Sequence, residues 1–424
     1  MKKTIFFLIG GFLSAYSYSQ TEKAPTSNCN AWSQQANFPG VARYYVAGFS
    51  IGNYGYIGCG SNSSTPTSYN DFYKWNETTN TWTAIASYPG AGYEYTPVSF
   101  SIEGYGYVGL GWTGSNGATD LWRYDTATNT WTQMASLPGP GRYDESVFVI
   151  GHKAWIIGGS PGGPPYFDDV WMYDAHQNTW TQKNNSPAGQ TDGGAAFAIG
   201  KNGYIGGGND GSAVSHSAFY EYDTTSDTWT PIDSFPITLA PTGDSRAFVI
   251  GSKGYVCTGT INTIRSNTLP SCYMYDTVTK AWSYSSDLSI LGIGRGYAAA
   301  FAIGNCGFIG TGQDSAQGMR QDLWGYCICG EEGGVDQVNA VSPSISLYPI
   351  PSNGNLTLSY SNLTSSKSEL SITNILGSVI YSTSLTGFEG EMNLNLGNIS
   401  NGVYFYQIIS GNKSIIRGKF VITK

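Results

Sequence analysis

The sequence is poor in charged residues, and this scarcity excludes several classes of protein. Only 12% of the 424 residues are charged, and the formal net charge is −8. A protein that binds nucleic acid needs clustered positive charge, so no nucleic-acid partner is expected. The chain also has only three histidines, His152, His176 and His216, which leaves few ligands for a metal site.

Long apolar runs are missing as well. The clearest one covers residues 4–13, after Lys2 and Lys3, and it is too short to span a membrane. A positive start, a short apolar core and small residues up to Ser19 are typical of a secretory leader. We therefore predict a signal peptide at residues 1–19 and no transmembrane segment.

Aromatic residues and glycine are abundant, and they occur in a repeated pattern. The phrase "DLWRYDTATNTWTQMASLP" (120–138) has four close variants elsewhere in the chain. The tryptophans that mark these phrases lie 49 to 53 residues apart, at Trp32, Trp82, Trp131, Trp180, Trp229 and Trp282. A second marker, of the form "GYIGGG", also occurs six times. A period near 50 in a β-rich sequence predicts a propeller.

One repeat contains four predicted strands. "ESVFVIG" (145–151) suits a buried inner strand, "KAWIIGG" (153–159) returns beside it, and "DDVWMYD" (168–174) alternates like a half-buried strand. "TWTQK" then supplies a fourth strand before a proline. Four antiparallel strands are the number in one propeller blade.

These repeats resemble kelch repeats. The matching features are the Gly-Gly position, the Tyr-Asp pair (as at Tyr173 and Asp174) and the Trp after the turn. One departure is Asn76, which stands where Asp is usual. The resemblance covers residues 29–329 and implies an all-β, six-bladed kelch-type propeller.

The two ends of the repeat region are incomplete and complement each other. Residues 30–40 resemble a last strand with no earlier strands, and residues 307–330 lack a Trp strand. We therefore expect the N-terminal strand to complete the sixth blade and close the ring, since seven blades would need roughly 350 residues.

Ring closure suggests a disulfide latch in this exported chain. Cys29 precedes the closing strand, and Cys327 and Cys329 end the strand that should pair with it. We predict a bond from Cys29 to one of them, and Cys257–Cys272 as a second candidate pair. Cys327 and Cys329 could instead be metal ligands, but no nearby pair of His or Cys has ligand spacing, so no metal or other cofactor is expected.

The tail forms a separate domain. Residues 330–342 form a predicted linker, and residues 343–424 contain short alternating strands typical of a small β-sandwich. "YPIPSNG" (348–354), "NILGSVIY" (374–381) and "NGVYFYQI" (401–408) resemble the C-terminal sorting domain of type IX secretion. The resemblance implies that residues 343–424 bind the secretion machinery, so that the protein reaches the outer cell surface or the medium. The alternative is a carbohydrate-binding sandwich of similar size.

Charged and tyrosine residues precede the first strand of most repeats, on the face that carries the longer loops. This face is where a propeller is expected to bind a ligand. Arg, carboxylate and Tyr together can hold a sugar or an acidic ligand. The candidate ligand-binding residues are Arg43, Tyr44, Tyr93, Glu94, Arg142, Tyr143, Glu145, Asp192, Arg246 and Arg295. The alternative is that these arginines pair with neighbouring blades.

We interpret the chain as an exported binding module for a glycan or protein, with no catalytic residues assigned. The alternative is a carbohydrate-active enzyme that resembles the sialic acid mutarotase or epimerase type, with Arg142 and Glu145 or Glu94 as candidates. Copper radical oxidases are a further kelch type, but the predicted strand map separates His152 and His176 from His216.

Overall fold

The computed structural model of the chain describes residues 30–64, 67–189, 191–210, 216–236, 243–261, 264–288, 294–316, 318–328, 344–348, 352–361, 363, 367–386, 390–410 and 413–423. Within these ranges the regular secondary structure is β-strand. None of the described segments forms a helix long and apolar enough to cross a membrane. The predicted leader (1–19) and linker (330–342) lie outside the described residues.

Six four-stranded antiparallel sheets form the propeller and confirm the predicted six blades. From blade 1 to blade 6, the first strands are Ala47–Ile51, Val98–Ile102, Ser146–Ile150, Ala195–Ile199, Arg246–Ile250 and Ala299–Ile303. The second strands are Tyr54–Gly58, Tyr105–Gly109, Lys153–Ile157, Asn202–Gly206, Lys253–Cys257 and Cys306–Gly310. The third strands are Phe72–Asn76, Leu121–Asp125, Val170–Asp174, Phe219–Asp223, Ser271–Asp276 and Leu323–Cys327. The fourth strands are Thr81–Ile85, Thr130–Met134, Thr179–Lys183, Thr228–Ile232, Ala281–Asp287 and, in blade 6, Ala31–Gln35.

The first strands line the axis of a closed ring. Each one lies against the first strands of the blades before and after it, including blade 6 against blade 1. Blade 6 is completed by the start of the described chain, because Ala31–Gln35 pairs antiparallel with Leu323–Cys327. A closed ring leaves no blade at an open end.

A phenylalanine in the middle of every first strand packs the blades together. These residues are Phe49, Phe100, Phe148, Phe197, Phe248 and Phe301, and all are buried. Each ring stacks on an aromatic ring of its own second strand, with centroids 4.9 to 5.4 Å apart. The outer edge of each phenylalanine ring covers one residue in the second strand of the next blade. In five of the six blades this covered residue is a glycine. A Cβ on these glycines would overlap the ring, which explains the small residue in each "GY" marker.

The tryptophans of the fourth strands connect neighbouring blades by hydrogen bonds. The indole Nε1 of Trp131 donates to the carbonyl of Ala86 at 2.9 Å, and that of Trp180 donates to Ala135 at 2.8 Å. Trp82, Trp229 and Trp282 repeat this contact with the loop after the preceding fourth strand. The regular Trp spacing therefore reflects a bond between blades at the outer edge of the ring.

Two disulfides lie within single blades, and one of them excludes Cys327 as the partner of Cys29. The other latch, Cys29–Cys329, stays a prediction. Cys257 bonds to Cys272 across adjacent strands of blade 5. Cys327 bonds to Cys306, not to Cys29, because these two cysteines lie directly opposite each other in blade 6, with Cα atoms 4.1 Å apart. Cys29 and Cys329 lie outside the described residues, and Cys59 is a buried thiol.

Non-reducing peptide mapping tests this pairing. We expect Cys257–Cys272 and Cys306–Cys327 as linked peptides, with closed loops of 15 and 21 residues. Reduction should lower the free energy of unfolding by about 3 kcal/mol per bond, because each bond restricts the unfolded chain. Recovery of Cys327 linked to Cys29 would contradict the structure.

The tail is a two-sheet sandwich, as the sequence predicts. One sheet contains Ser344–Tyr348, Asn355–Ser361 and Gly390–Asn395, in that order. The other contains Val379–Thr386, Lys367–Thr373, Gly402–Ser410 and Lys413–Ile422, in that order. Leu358, Leu370, Ile372 and Ile408 are fully buried in the core.

Candidate ligand-binding face

The long-loop face carries the connections between second and third strands. Around its centre lie six residues, one from each blade, whose backbone is in the left-handed region. The residue two positions before the start of each first strand has a φ between 35° and 64°; these residues are Tyr45, Thr96, Asp144, Gly193, Asp244 and Tyr297. Backbone hydrogen bonds join four of the neighbouring pairs, as from Thr96 N to Tyr45 O at 3.1 Å and from Asp244 N to Gly193 O at 2.8 Å. This ring brings all six blades together at one end of the axis.

Tyrosine side chains fill the centre on the side of blades 6 and 1. Tyr44, Tyr45 and Tyr297 are almost fully buried and contact one another, with centroids 4.2 to 5.9 Å apart. The sequence predicts a Tyr-rimmed opening here, but the rings pack on each other. Tyr44 is therefore part of the core.

The axial channel is instead bounded by the short turns at its other end. Its cavity has a volume of about 800 Å³ and is lined by the first strands and by the turn residues Asn53, Glu103 and Asn305. The lining side chains along the strands are apolar except for Ser50, Ser99 and Ser101, so the walls offer few polar side chains.

Three of the predicted ligand-binding arginines form buried ion pairs with an aspartate of their own blade. We call each such Arg–Asp pair a brace. Arg43, Arg142 and Arg295 occupy equivalent positions, and each has at most 1% of its side chain exposed. Arg142 makes two bonds to Asp169, of 2.5 and 2.9 Å, and a third to the carbonyl of Gly158 at 3.0 Å. Arg43 pairs in the same way with Asp71, and Arg295 with Asp322. Each arginine thus ties the start of a blade to that blade's own long loop, and not to the neighbouring blade.

The charge of the arginine is balanced inside the brace. Burial opposes the ionisation of Asp322, but the hydrogen bonds and charge of Arg295 outweigh it and lower the pKa of that carboxyl. A guanidinium whose partner is ionised and bidentate has little capacity left for an anionic ligand.

The other predicted residues are scattered. Arg246 donates through Nε to the carbonyl of Ala298 at 2.5 Å and so links blades 5 and 6. Tyr93 packs against the core between blades 1 and 2, and Glu94 lies beside the loop of blade 2. None of these three joins the other predicted residues in one cluster.

Tyr143 and Asp192 do come together, and residues missed in the sequence complete their surroundings. We call Trp112, Tyr143, Asp144, Tyr166 and Asp192 the aromatic–carboxyl patch. The rings of Trp112 and Tyr143 are 5.2 Å apart, and the hydroxyl of Tyr166 hydrogen-bonds to Asp192. The three aromatic side chains are half-buried, so each also presents surface to solvent. Trp112 and Tyr166 lie in the variable long loops, where no repeat signal marks them.

The carboxyl groups of the patch are crowded together. Burial, followed by the charges of Asp144 and Asp244, raises the pKa of Asp192 to about 9, although Asn209 and Tyr166 hydrogen-bond to it. Burial and the nearby Asp192 raise the pKa of Tyr166 to about 12. At neutral pH the Asp192 carboxyl is therefore held mainly in its neutral form, which can donate as well as accept a hydrogen bond.

Removing this carboxyl should stabilise the protein at alkaline pH. The unfolded chain releases the Asp192 proton near pH 4, whereas the folded chain keeps it up to about pH 9. Stability consequently falls as pH rises through this window. We expect Asp192→Asn to increase the free energy of unfolding by at least about 1 kcal/mol at pH 8 and to have little effect near pH 4.

Urea unfolding at both pH values measures this difference. Asp223→Asn is the matched control, because backbone N–H groups of Thr225 and Ser226 and the Lys201 ammonium lower the pKa of Asp223. The ionised Asp223 stabilises the folded chain, so Asp223→Asn should lower the free energy of unfolding at pH 8, whereas Asp192→Asn should raise it. A destabilising Asp192→Asn would contradict the assigned environment.

Glu145 lies beside the patch but faces inward. Both carboxyl oxygens are buried, and burial raises the pKa of this group well above its usual value despite nearby backbone N–H groups and Arg142. Its carboxyl lies between blades 2 and 3, near Arg142 and Gly111.

The histidines fall on opposite faces, as the strand map predicts. His152 and His176 stack at 3.9 Å beside the short turns, where His176 contacts Glu103 at 3.0 Å. His216 lies in a long loop and pairs with Asp210 at 3.3 Å. The three side chains thus do not meet at one site.

Two family matches cover most of the chain. Residues 46–259, half of its length, match the family described as the KLHDC2/KLHL20/DRC7 Kelch-repeats domain. Residues 346–423 match the Secretion system C-terminal sorting domain. Both resemblances found in the sequence are therefore confirmed.

Comparison with solved structures supports the architecture. The structure of YjhT superimposes with a TM-score of 0.56 at 19% identity, covering 68% of this chain and 95% of that one. At this identity the similarity shows the fold alone. No curated protein matches the sequence at a significant level.

Proposed function

Since the chain belongs to the kelch-repeat family and its type IX sorting domain directs it to the cell surface or the extracellular space, we propose that it is an exported, non-enzymatic module that binds a neutral glycan. The aromatic–carboxyl patch is the proposed contact surface. In this proposal residues 1–19 act as the signal peptide that begins export.

The observation that carries the proposal is the meeting of three partly exposed aromatic rings with two carboxyl groups. Aromatic faces provide apolar area at little cost in conformational entropy, and they suit the C–H faces of a sugar ring. Asp144 and Asp192 add groups that exchange hydrogen bonds with sugar hydroxyls. A few convergent polar groups among aromatic side chains are typical of small-ligand sites.

A neutral ligand fits the charge of this region better than an anionic one. Asp144, Asp192 and Asp244 lie close enough to raise one another's cost of ionisation. The nearby Arg142 is fully buried and bound to Asp169. A sialylated or sulfated glycan would bring negative charge to a carboxyl cluster, so we expect it to be disfavoured.

The long-loop face is preferred to the axial channel for a chemical reason. The channel walls are strand backbone and mainly apolar side chains, with Glu103 at one end. The shifted pKa values of Asp192 and Tyr166 and the exposed aromatic rings occur together on the long-loop face. Perturbed titratable groups tend to cluster at functional sites.

A glycan array followed by calorimetry on the whole secreted chain tests the proposal. We expect binding to uncharged glycans, and Trp112→Ala to weaken it about tenfold or more, the loss typical of an aromatic anchor. Tyr284→Ala is the matched control, because this tyrosine is 57% exposed on the outer strand of blade 5. Binding only to charged glycans or to a protein, or equal loss in both variants, would contradict the proposal.

One observation keeps a mutarotase or epimerase as the second candidate. A carboxyl that stays protonated near neutral pH, as at Asp192, can serve as a general acid. Anomer-exchange measurements on any sugar that binds distinguish the two functions. Turnover that is lost in Asp192→Asn, with binding retained, would favour the enzyme over the binding module.

A further inference from the structure

The sorting domain displays a group of large apolar side chains that its own core does not use. Ile375, Leu376 and Val379 are 72%, 84% and 62% exposed, and Val403 and Phe405 are 39% and 44% exposed. None of the five belongs to the buried cluster of the sandwich. We call them the tail apolar patch.

Strand pairing places Val379, Val403 and Phe405 at one end of the same sheet. Val379 lies opposite Thr373, and Thr373 lies opposite Phe405 on the next strand. Phe405 and Val403 are two residues apart in one strand and so share one side of the sheet. The pairing with the neighbouring strand has a bulge between Ile372 and Thr373, so Val379 is assigned to this group by its position beside Thr373 and its 62% exposure. Two distant segments of the tail therefore contribute to one surface.

The turn between the strands Lys367–Thr373 and Val379–Thr386 keeps Ile375 and Leu376 exposed. The side-chain oxygen of Asn374 accepts hydrogen bonds from the backbone N–H groups of Leu376 and Ser378, both at 3.0 Å. Gly377 completes the turn with a φ of 81°. Because the turn is fixed by these bonds, Ile375 and Leu376 stay exposed instead of folding back onto the sheet.

We propose that the tail apolar patch is the surface by which this chain docks on a component of the type IX secretion machinery. A cluster of exposed apolar side chains marks an interaction site in a domain that otherwise buries its apolar residues. All five residues lie within the matched sorting domain, whose stated role is secretion. They also come from two of the three segments that carry the sequence resemblance, "NILGSVIY" and "NGVYFYQI".

The expected partner surface is apolar at its centre and acidic at its rim. Lys419 is exposed and lies directly opposite Phe405, at the border of the patch. A carboxylate on the partner beside this ammonium would orient the docking, since charges at the rim of an interface mainly steer association.

Export of the full chain by a bacterium with a type IX system tests the assignment. We expect Leu376→Ser combined with Phe405→Ser to reduce the exported amount about tenfold or more, with the protein retained in the periplasm, because both are anchors of the contact. Tyr348→Ser is the matched control, because Tyr348 is 45% exposed on the other sheet of the same domain. Normal export of the double variant, or equal loss in the control, would overturn the proposal.

A single turn variant separates docking from folding. Leu376→Asn changes a residue that is 84% exposed and belongs to no strand, so the sandwich should keep its thermal midpoint. We expect reduced export with unchanged unfolding of the retained chain. A photocrosslinker at position 376, but not at position 348, should capture a secretion component. Capture only of a second copy of this chain, or equal capture from both positions, would contradict the assignment.

Discussion

Arg142→Met is expected to lower the free energy of unfolding of the propeller by about 3–5 kcal/mol, the cost of leaving one member of a buried ion pair without its partner. Arg142 is completely buried, and its guanidinium holds Asp169 by two bonds and the carbonyl of Gly158 by a third. Without Arg142, the Asp169 carboxylate and the Gly158 carbonyl lose its guanidinium as hydrogen-bond donor inside the blade. The long loop that carries Tyr166 is then no longer held.

Chemical denaturation of the wild-type chain and the variant measures this loss. Lys201→Met is the matched control, since Lys201 pairs with Asp223 at 3.2 Å but is 67% exposed. We expect little change in the control, because an exposed ion pair contributes little to stability. A normally stable Arg142→Met that no longer binds ligand would instead assign Arg142 to the binding site.

The brace explains why the sequence placed the arginines correctly along the chain but gave them the wrong role. The repeat predicts that each arginine precedes a first strand. It therefore also predicts that the backbone of these residues lies on the long-loop face. Whether a side chain points to solvent or into the blade depends on its partner. Arg43, Arg142 and Arg295 each have an aspartate 28, 27 and 27 residues later, before the third strand. This nearly constant spacing of 27 or 28 residues is a signal that the sequence contains.

Blade 2 shows how the same position differs when the arginine is absent. Glu94 replaces it, and the equivalent aspartate, Asp120, has no arginine partner among the described bonds. It keeps a 2.7 Å bond from the indole of Trp122, like the bonds that Trp171 and Trp324 make to the aspartates of the braced blades. The brace therefore occurs only where both members of the pair are present.

The blades and their order could be predicted because they rest on periodic features. The Trp spacing and the "GY" marker identify the strands, and strand alternation identifies the buried faces. The closed centre of the long-loop face could not be predicted in the same way. Tyr45 and Tyr297 adopt φ values of 60° and 58°, a conformation rare for aromatic residues, and the backbone bond between them joins blades 6 and 1, which are distant in the sequence.

The disulfide in blade 6 and the aromatic–carboxyl patch escaped prediction for a related reason. Cys306 faces Cys327 only once the exact pairing register of two strands is known. Trp112 and Tyr166 meet Tyr143 and Asp192 through loops of blades 2 and 3 that share no pattern. Register and loop conformation depend on the assembled ring, whereas the repeat describes one blade at a time.

Gly203→Val is expected to destabilise the propeller by about 3 kcal/mol, because an added side chain has no room at the interface between blades 3 and 4. Gly203 lies in the second strand of blade 4, with a backbone conformation that valine also adopts. The ring of Phe148 from blade 3 covers its Cα, so a Cβ would overlap that ring. The loss would therefore come from packing alone and not from backbone strain.

A double-mutant cycle identifies the partner. Phe148→Ala alone should cost about 3–5 kcal/mol, but the space it leaves accommodates the valine, so the double variant should be more stable than the sum of the two losses predicts. Gly203→Val combined with Phe301→Ala is the matched control, because Phe301 covers Gly55 of blade 1 and not Gly203. That pair should be additive in urea unfolding. Additivity in both pairs would mean that the Phe–Gly contact does not hold neighbouring blades together.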